Sequence, residues 1–164
     1  MHLKTILMLV VVLTLASGAW AQTKISITSK CGDFEPVYTV PVGDSPDHTF
    51  LIGKGKCTPT KPREIGGIAV RGEEITFFGE QSGNRARGRA VGVGTMANGD
   101  KYYFRDQFVN ILKEQVLQTG ESTWTNTGGT GKLKGLKGKG TCKGKPGPEK
   151  TEIWECEGEY QLPQ

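Results

Sequence analysis

The chain has 164 residues, with 21 basic and 17 acidic side chains, 24 glycines and four cysteines. Glycine at about twice its usual share disfavours long amphipathic helices, because each interior Gly costs a helix about 1 kcal/mol. No G-X-Y repeat occurs, which excludes collagen. The length argues for one domain, and a formal net charge of +4 is too modest to point to nucleic acid.

Residues 1–21 read as a secretory signal peptide. Lys4 supplies the positive start, Ile6 to Leu15 an apolar run broken only by Thr14, and Ala19 and Ala21 the small residues a signal peptidase requires. The run is shorter than the ~20 apolar residues of a membrane span. The expectation is an exported, periplasmic or extracellular protein. It has no membrane span after signal cleavage and a single domain over residues 22–164.

Export makes Cys31, Cys57, Cys142 and Cys156 disulfide candidates. No CxxC occurs, and His48 is the only histidine beyond the leader, so no metal site is expected.

In chain order, Lys24 to Ser29 alternates as a strand. Residues 30–64 carry five prolines and read as one strand around Val37 to Val42 plus loops. Ile68 to Arg71 and Glu74 to Phe78 read as a strand pair or one bent strand. Arg87 to Phe108 reads as a hairpin around Asn98-Gly99, the dipeptide favoured in type I′ turns. That turn sets Val93 opposite Phe104, Thr95 opposite Tyr102 and Arg89 opposite Phe108. It collects Val91, Val93, Tyr102, Phe104 and Phe108 on the core face, and leaves Gly92 opposite Arg105 and Gly94 opposite Tyr103 on the other. Val109 to Leu117 and Glu121 to Thr127 follow as strands, and Gly128 to Gly131 as a turn. The total is about eight or nine strands, as in a barrel or sandwich.

Lys137 to Lys145 and Glu152 to Leu162 read as a last hairpin. One register satisfies everything at once. Cys142 faces Cys156, Lys143 faces Glu155, Lys139 faces Glu159, and Trp154 and Tyr160 lie opposite Gly144 and Gly138. It predicts a Cys142–Cys156 disulfide and leaves Cys31–Cys57 as the second.

Several motifs invite a functional reading. Lys137, Lys139, Lys143 and Lys145 share one face and suggest a polyanion ribbon. The glutamate stripe opposite makes a solvated, self-compensated surface the stronger reading, and no aromatic interleaves to stack bases. The glycine run from Gly128 lacks the G-x-x-x-x-G-K-[ST] of a phosphate loop, so no nucleotide cofactor is expected. Ser45, Asp47 and His48 are close in sequence, whereas a triad is assembled from separate segments. Arg85, Arg87 and Arg89 alternate toward one face, as an anion site at a rim or a protected edge. Glu73, Glu74 and Glu121, with Tyr102 and Tyr103 nearby, are the candidates for acid–base work in a cavity.

The run Gly128-Gly129-Thr130-Gly131-Lys132-Leu133-Lys134-Gly135-Leu136-Lys137-Gly138-Lys139-Gly140-Thr141 resembles the glycine-rich signature of allene-oxide-cyclase-like and dirigent-like barrels. It is also similar to small exported bacterial proteins of unknown function in which an Asn-Gly turn precedes the motif. The resemblance covers roughly residues 88–162. It implies an all-β fold, a single antiparallel barrel of about eight strands around a cavity, with Lys132 to Leu136 as a short turn. The cyclase's catalytic residues match no positions here, so no enzymatic role carries over. The expected function is a non-enzymatic barrel that binds a small apolar or amphipathic ligand or serves as an interaction module. The alternatives are a cyclase- or isomerase-like enzyme using a cavity carboxylate or tyrosine, and a weak polyanion binder. No catalytic residue is assigned; the ligand-binding residues and oligomeric state are not legible.

Overall fold

The structure is a computed structural model that describes residues 22–163. The expected signal peptide, residues 1–21, lies outside them. Eight strands close an antiparallel barrel: β1 (Thr23–Gly32), β3 (His48–Pro59), β5 (Ile68–Ser82), β6 (Arg85–Met96), β7 (Lys101–Lys113), β8 (Val116–Gly129), β9 (Lys137–Pro146) and β10 (Glu152–Gln161). Around the barrel they run β3-β1-β10-β9-β8-β7-β6-β5, and β5 returns to β3. Two short strands lie outside this cycle. β2 (Val37–Pro41) pairs with the first half of β3, and β4 (Glu64–Ile65) with the start of β5. Among the described residues no helix is long and apolar enough to cross a membrane.

The last hairpin has the register expected of it. Cys142 pairs with Cys156, Lys143 with Glu155, Lys139 with Glu159, Trp154 with Gly144 and Tyr160 with Gly138. Both expected disulfides, Cys142–Cys156 and Cys31–Cys57, are formed. The second joins β1 to β3, where these cysteines are direct cross-strand partners.

The β6–β7 hairpin differs from expectation by one residue. Asn98-Gly99 does turn the chain, but the loop is longer than a type I′ turn. The Gly99 N–H donates to Met96 O, the Met96 N–H donates to Asp100 O, and only Gly99 takes a positive φ, of 88°. This is the pattern of a turn followed by a left-handed bulge residue. Gly94 therefore faces Tyr102, Gly92 faces Phe104, Val93 faces Tyr103, Arg89 faces Gln107 and Thr95 faces Lys101. A one-residue slip exchanges the faces of a strand. Tyr102, Phe104 and Phe108 still point inward, but Val91 and Val93 point outward, 50 % and 37 % exposed. Packing explains the choice. The Phe104 and Tyr102 rings occupy the space that a Cβ on Gly92 or Gly94 would need, so valines could not take those interior positions.

Two other boundaries moved. The strand expected over Val109 to Leu117 contains a turn, at Glu114 and Gln115, both with positive φ (52° and 62°). Residues 30–64 hold β3 besides β2. Its inward positions include Gly53 and Gly55, while Phe50 and Ile52 lie outside, so its apolar alternation points away from the core. Ile68 to Phe78 is one strand with a bulge between Val70 and Gly72.

One end of the barrel is plugged. After β8 the glycine motif makes a single 3₁₀ turn, Gly131–Leu133, which drives Leu133 and Leu136 into a core with Ile65, Val70, Met96 and Tyr102. The β6–β7 turn grips this plug: Asp100 Oδ2 accepts from the Lys132 N–H, and the Lys101 N–H donates to Thr130 Oγ1.

Candidate functional site

Beyond the plug the barrel is not filled. A cavity of about 310 Å³ remains, bounded by inward side chains from most of the strands. Its walls include several large rings: Phe77 of β5, Phe104 and Phe108 of β7, Trp124 of β8 and Trp154 of β10. Trp124 reaches across the neighbouring strands, with Cζ2 only 2.5 Å and 2.6 Å from where a Cβ on Gly140 or Gly158 would stand. Glycines on β9 and β10 thus let a large ring fit within a narrow barrel.

Into this apolar space project five ionisable groups: Arg63, Glu73, Tyr102, Asp106 and Glu152. Three of them form one unit near the plug. Arg63, from the loop before β4, reaches Glu73 Oε1 at 2.8 Å. The Tyr102 hydroxyl donates to the same carboxylate oxygen, and the Arg63 guanidinium lies 5.4 Å from the Tyr102 ring centroid. Burial works against the charge on Arg63, but the Glu73 carboxylate beside it outweighs this and keeps it charged. Burial, together with the Glu73 charge, pushes the Tyr102 hydroxyl well above its ordinary range.

Asp106 stands apart. It lies opposite Trp124 on the β7–β8 ladder, and its Oδ2 accepts a 3.1 Å hydrogen bond from Ser122 Oγ. Its Oδ1 is buried without a hydrogen-bond partner. Burial raises its carboxyl from the ordinary 3.8 to about 7; the Ser122 bond opposes the shift and the Glu73 charge adds to it. Glu152, at the start of β10, is likewise raised by burial, against the 2.8 Å bond it accepts from Trp154 Nε1. Ser29 Oγ, Asn110 Oδ1 and Trp124 Nε1 are further buried polar atoms with no partner. Such atoms are uncommon in a finished core and are satisfied where water or a ligand enters.

No family model, curated protein or solved structure matches the chain.

Of the carboxylates and tyrosines singled out by sequence, Glu73 and Tyr102 meet in the cavity. Glu74, Glu121 and Tyr103 do not line it. Asp106 and Glu152 were missed. Asp106 sits in the polar run Arg105-Asp106-Gln107, which reads as surface, and both the expected and the observed register of β7 turn it inward. The weak available signal was its parity with Tyr102 and Phe104, already placed on the core face.

The other sequence candidates lie outside the barrel. Arg85, Arg87 and Arg89 are exposed, and Arg87 pairs with Glu80. His48 holds Asp44 on Nδ1 at 2.7 Å and Glu80 on Nε2 at 2.8 Å. These carboxylates, Glu80 first, raise its pKa. Ser45 and Asp47 do not share these contacts, and with both ring nitrogens on carboxylates His48 does not activate a serine. On the last hairpin Lys145 pairs with Glu155 and Lys139 with Glu159, so the glutamate stripe answers much of the lysine charge. Among the described residues no three His, Cys, Asp or Glu side chains cluster as metal ligands would.

Proposed function

We propose that this is an exported barrel that holds a small, mainly apolar molecule in its interior without transforming it. The carrying observation is the unfilled cavity, whose aromatic walls surround a few polar atoms that lack partners. Its volume is at the lower end of the range of small-molecule sites, which are mostly apolar with a few polar groups to fix orientation. Two disulfides hint at an oxidising compartment, which supports export to the periplasm or the exterior. The resemblance of the Gly128–Thr141 run to allene-oxide-cyclase-like barrels agrees with this reading.

The test uses N-phenyl-1-naphthylamine, a neutral probe that fluoresces in apolar surroundings. Saturable one-to-one enhancement is expected with the folded protein. Ala86→Phe and Ala90→Phe, which add bulk from β6 into the cavity, should each abolish it while circular dichroism stays native. Undiminished enhancement in both folded variants would overturn the reading.

One observation favours a second reading, an isomerase- or cyclase-like enzyme. A carboxyl held near 7 can take up and return a proton at neutral pH, and Asp106 is such a group on the wall of the cavity. On that reading Asp106→Asn would bind the substrate and fail to turn it over.

A further inference from the structure

The charges inside the barrel do not balance. Of the five ionisable groups that line the cavity, Arg63 is the only cation, and Glu73 neutralises it at 2.8 Å while also receiving the Tyr102 hydroxyl. Asp106 and Glu152 have no cation beside them among the described residues. Asp106 is the less satisfied of the two. One oxygen accepts from Ser122, and the other is buried with no hydrogen-bond partner. Around it stand aromatic rings: Phe104 and Phe108 two positions away on the same strand, and Trp124 directly across on β8.

A cavity-lining carboxylate with an unpartnered oxygen and aromatic rings around it suits an ammonium group. The carboxylate supplies the opposite charge and a strong acceptor, and the ring faces attract a cation, most of all where water is excluded. An anionic ligand would meet two acidic groups and no free cation. A neutral ligand would bring no charge to hold the carboxyl ionised. We propose that the cavity selects a protonated primary or secondary amine carried on an apolar or aromatic body, with Asp106 as the anchor of the ammonium group. This rests on the ligand-binding reading above.

The proposal carries a pH dependence of defined sign. The elements packed around Asp106 present Ala90 from β6, Ser122 and Trp124 from β8, Glu73 with its partner Arg63 from the β5 side, Cys142 from β9, Glu152 from β10 and Ser29 from β1. None of these is an unpaired cation. In the empty barrel the Asp106 carboxyl is half protonated near pH 7. An ammonium ligand needs it ionised, so binding expels a proton and weakens as pH falls below about 7.

The experiment is isothermal titration calorimetry of the full folded protein with three probes of one shape: 2-(1-naphthyl)ethylamine, 2-(1-naphthyl)ethanol and 1-naphthylacetate. At pH 8 the amine is expected to bind at least about tenfold tighter than the alcohol, and the acetate weakest. Between pH 7 and pH 6 the amine should lose about fivefold, as the ionised fraction of Asp106 falls, while the alcohol changes little. Asp106→Asn should erase the amine preference and retain the alcohol. Equal binding of amine and alcohol by the wild-type protein at pH 8 would overturn the amine proposal and leave the cavity reading intact. A pH-independent preference would overturn the role of Asp106, even if the variant did not fold. Failure of all three naphthyl probes and of N-phenyl-1-naphthylamine to bind would overturn both readings.

Discussion

Replacing Asp106 by Asn should make the protein more stable at alkaline pH, and the size of the gain follows from where the carboxyl sits. Folding raises its pKa from about 3.8 to about 7, chiefly because burial disfavours the charged form. The folded state therefore keeps its proton at pH values where the unfolded chain has lost it. With more protons on the folded state, stability falls as pH rises between the two pKa values. A shift of about three units at 1.36 kcal/mol each makes the cost about 4 kcal/mol once pH exceeds 7. It is absent near pH 4. Asn keeps the shape and can still accept from Ser122 Oγ, but never ionises. Urea midpoints measured from pH 4.5 to 8.5 should show the variant matching the wild type at the acid end and exceeding it by about 2–4 kcal/mol above pH 7. Glu152 is raised in the same direction, and Asp44, Glu80 and Glu155 are lowered. They contribute to both proteins, so the difference isolates Asp106. Parallel pH profiles would refute the reasoning, since they would mean the carboxyl is solvated and titrates normally.

Three further outcomes follow from the packing. Gly158→Ala should cost about 1–3 kcal/mol, because its Cβ would stand 2.6 Å from Trp124 Cζ2 and 2.8 Å from Gly140 Cα; an unchanged urea midpoint would contradict that fit. Arg63→Met should cost about 3–5 kcal/mol by leaving Glu73 buried without its cation, and adding Glu73→Gln should recover most of the loss; a double-mutant cycle with no coupling would show the pair to be inert. Converting Cys142 and Cys156 to serine should lower stability by at most about 3 kcal/mol, the chain-entropy value for a loop of this size, their sequence separation being 14. Thermal melts of oxidised and variant protein provide the comparison, and coincident melts would be the contrary result.

The last hairpin and both disulfides were legible in the sequence because several independent patterns demanded one register. Lysines faced glutamates, cysteines faced each other, and large rings faced glycines, so any slip broke all three. The β6–β7 hairpin had only the Asn-Gly signal and an apolar alternation. Both are local, and both admit a register shifted by one. The bulky rings of Tyr102 and Phe104 decided it, because they need Gly94 and Gly92 beneath them and push Val91 and Val93 to the surface. The turn at Glu114-Gln115 carried no signal, since neither residue favours the positive φ it adopts.

The sequence by itself determined an all-β chain, its antiparallel strands and its two cross-links, because alternation, turn residues and cross-strand pairs act between near neighbours. Only the tertiary structure decided that eight strands close on themselves, that Leu133 and Leu136 stop one end, and that a cavity is left behind. The inward turn of Asp106 toward Ser122, with no cation to meet it, belongs to the same class of fact. Closure sets which parity faces inward, and burial then changes the chemistry of a carboxylate that looks like a surface residue in the sequence.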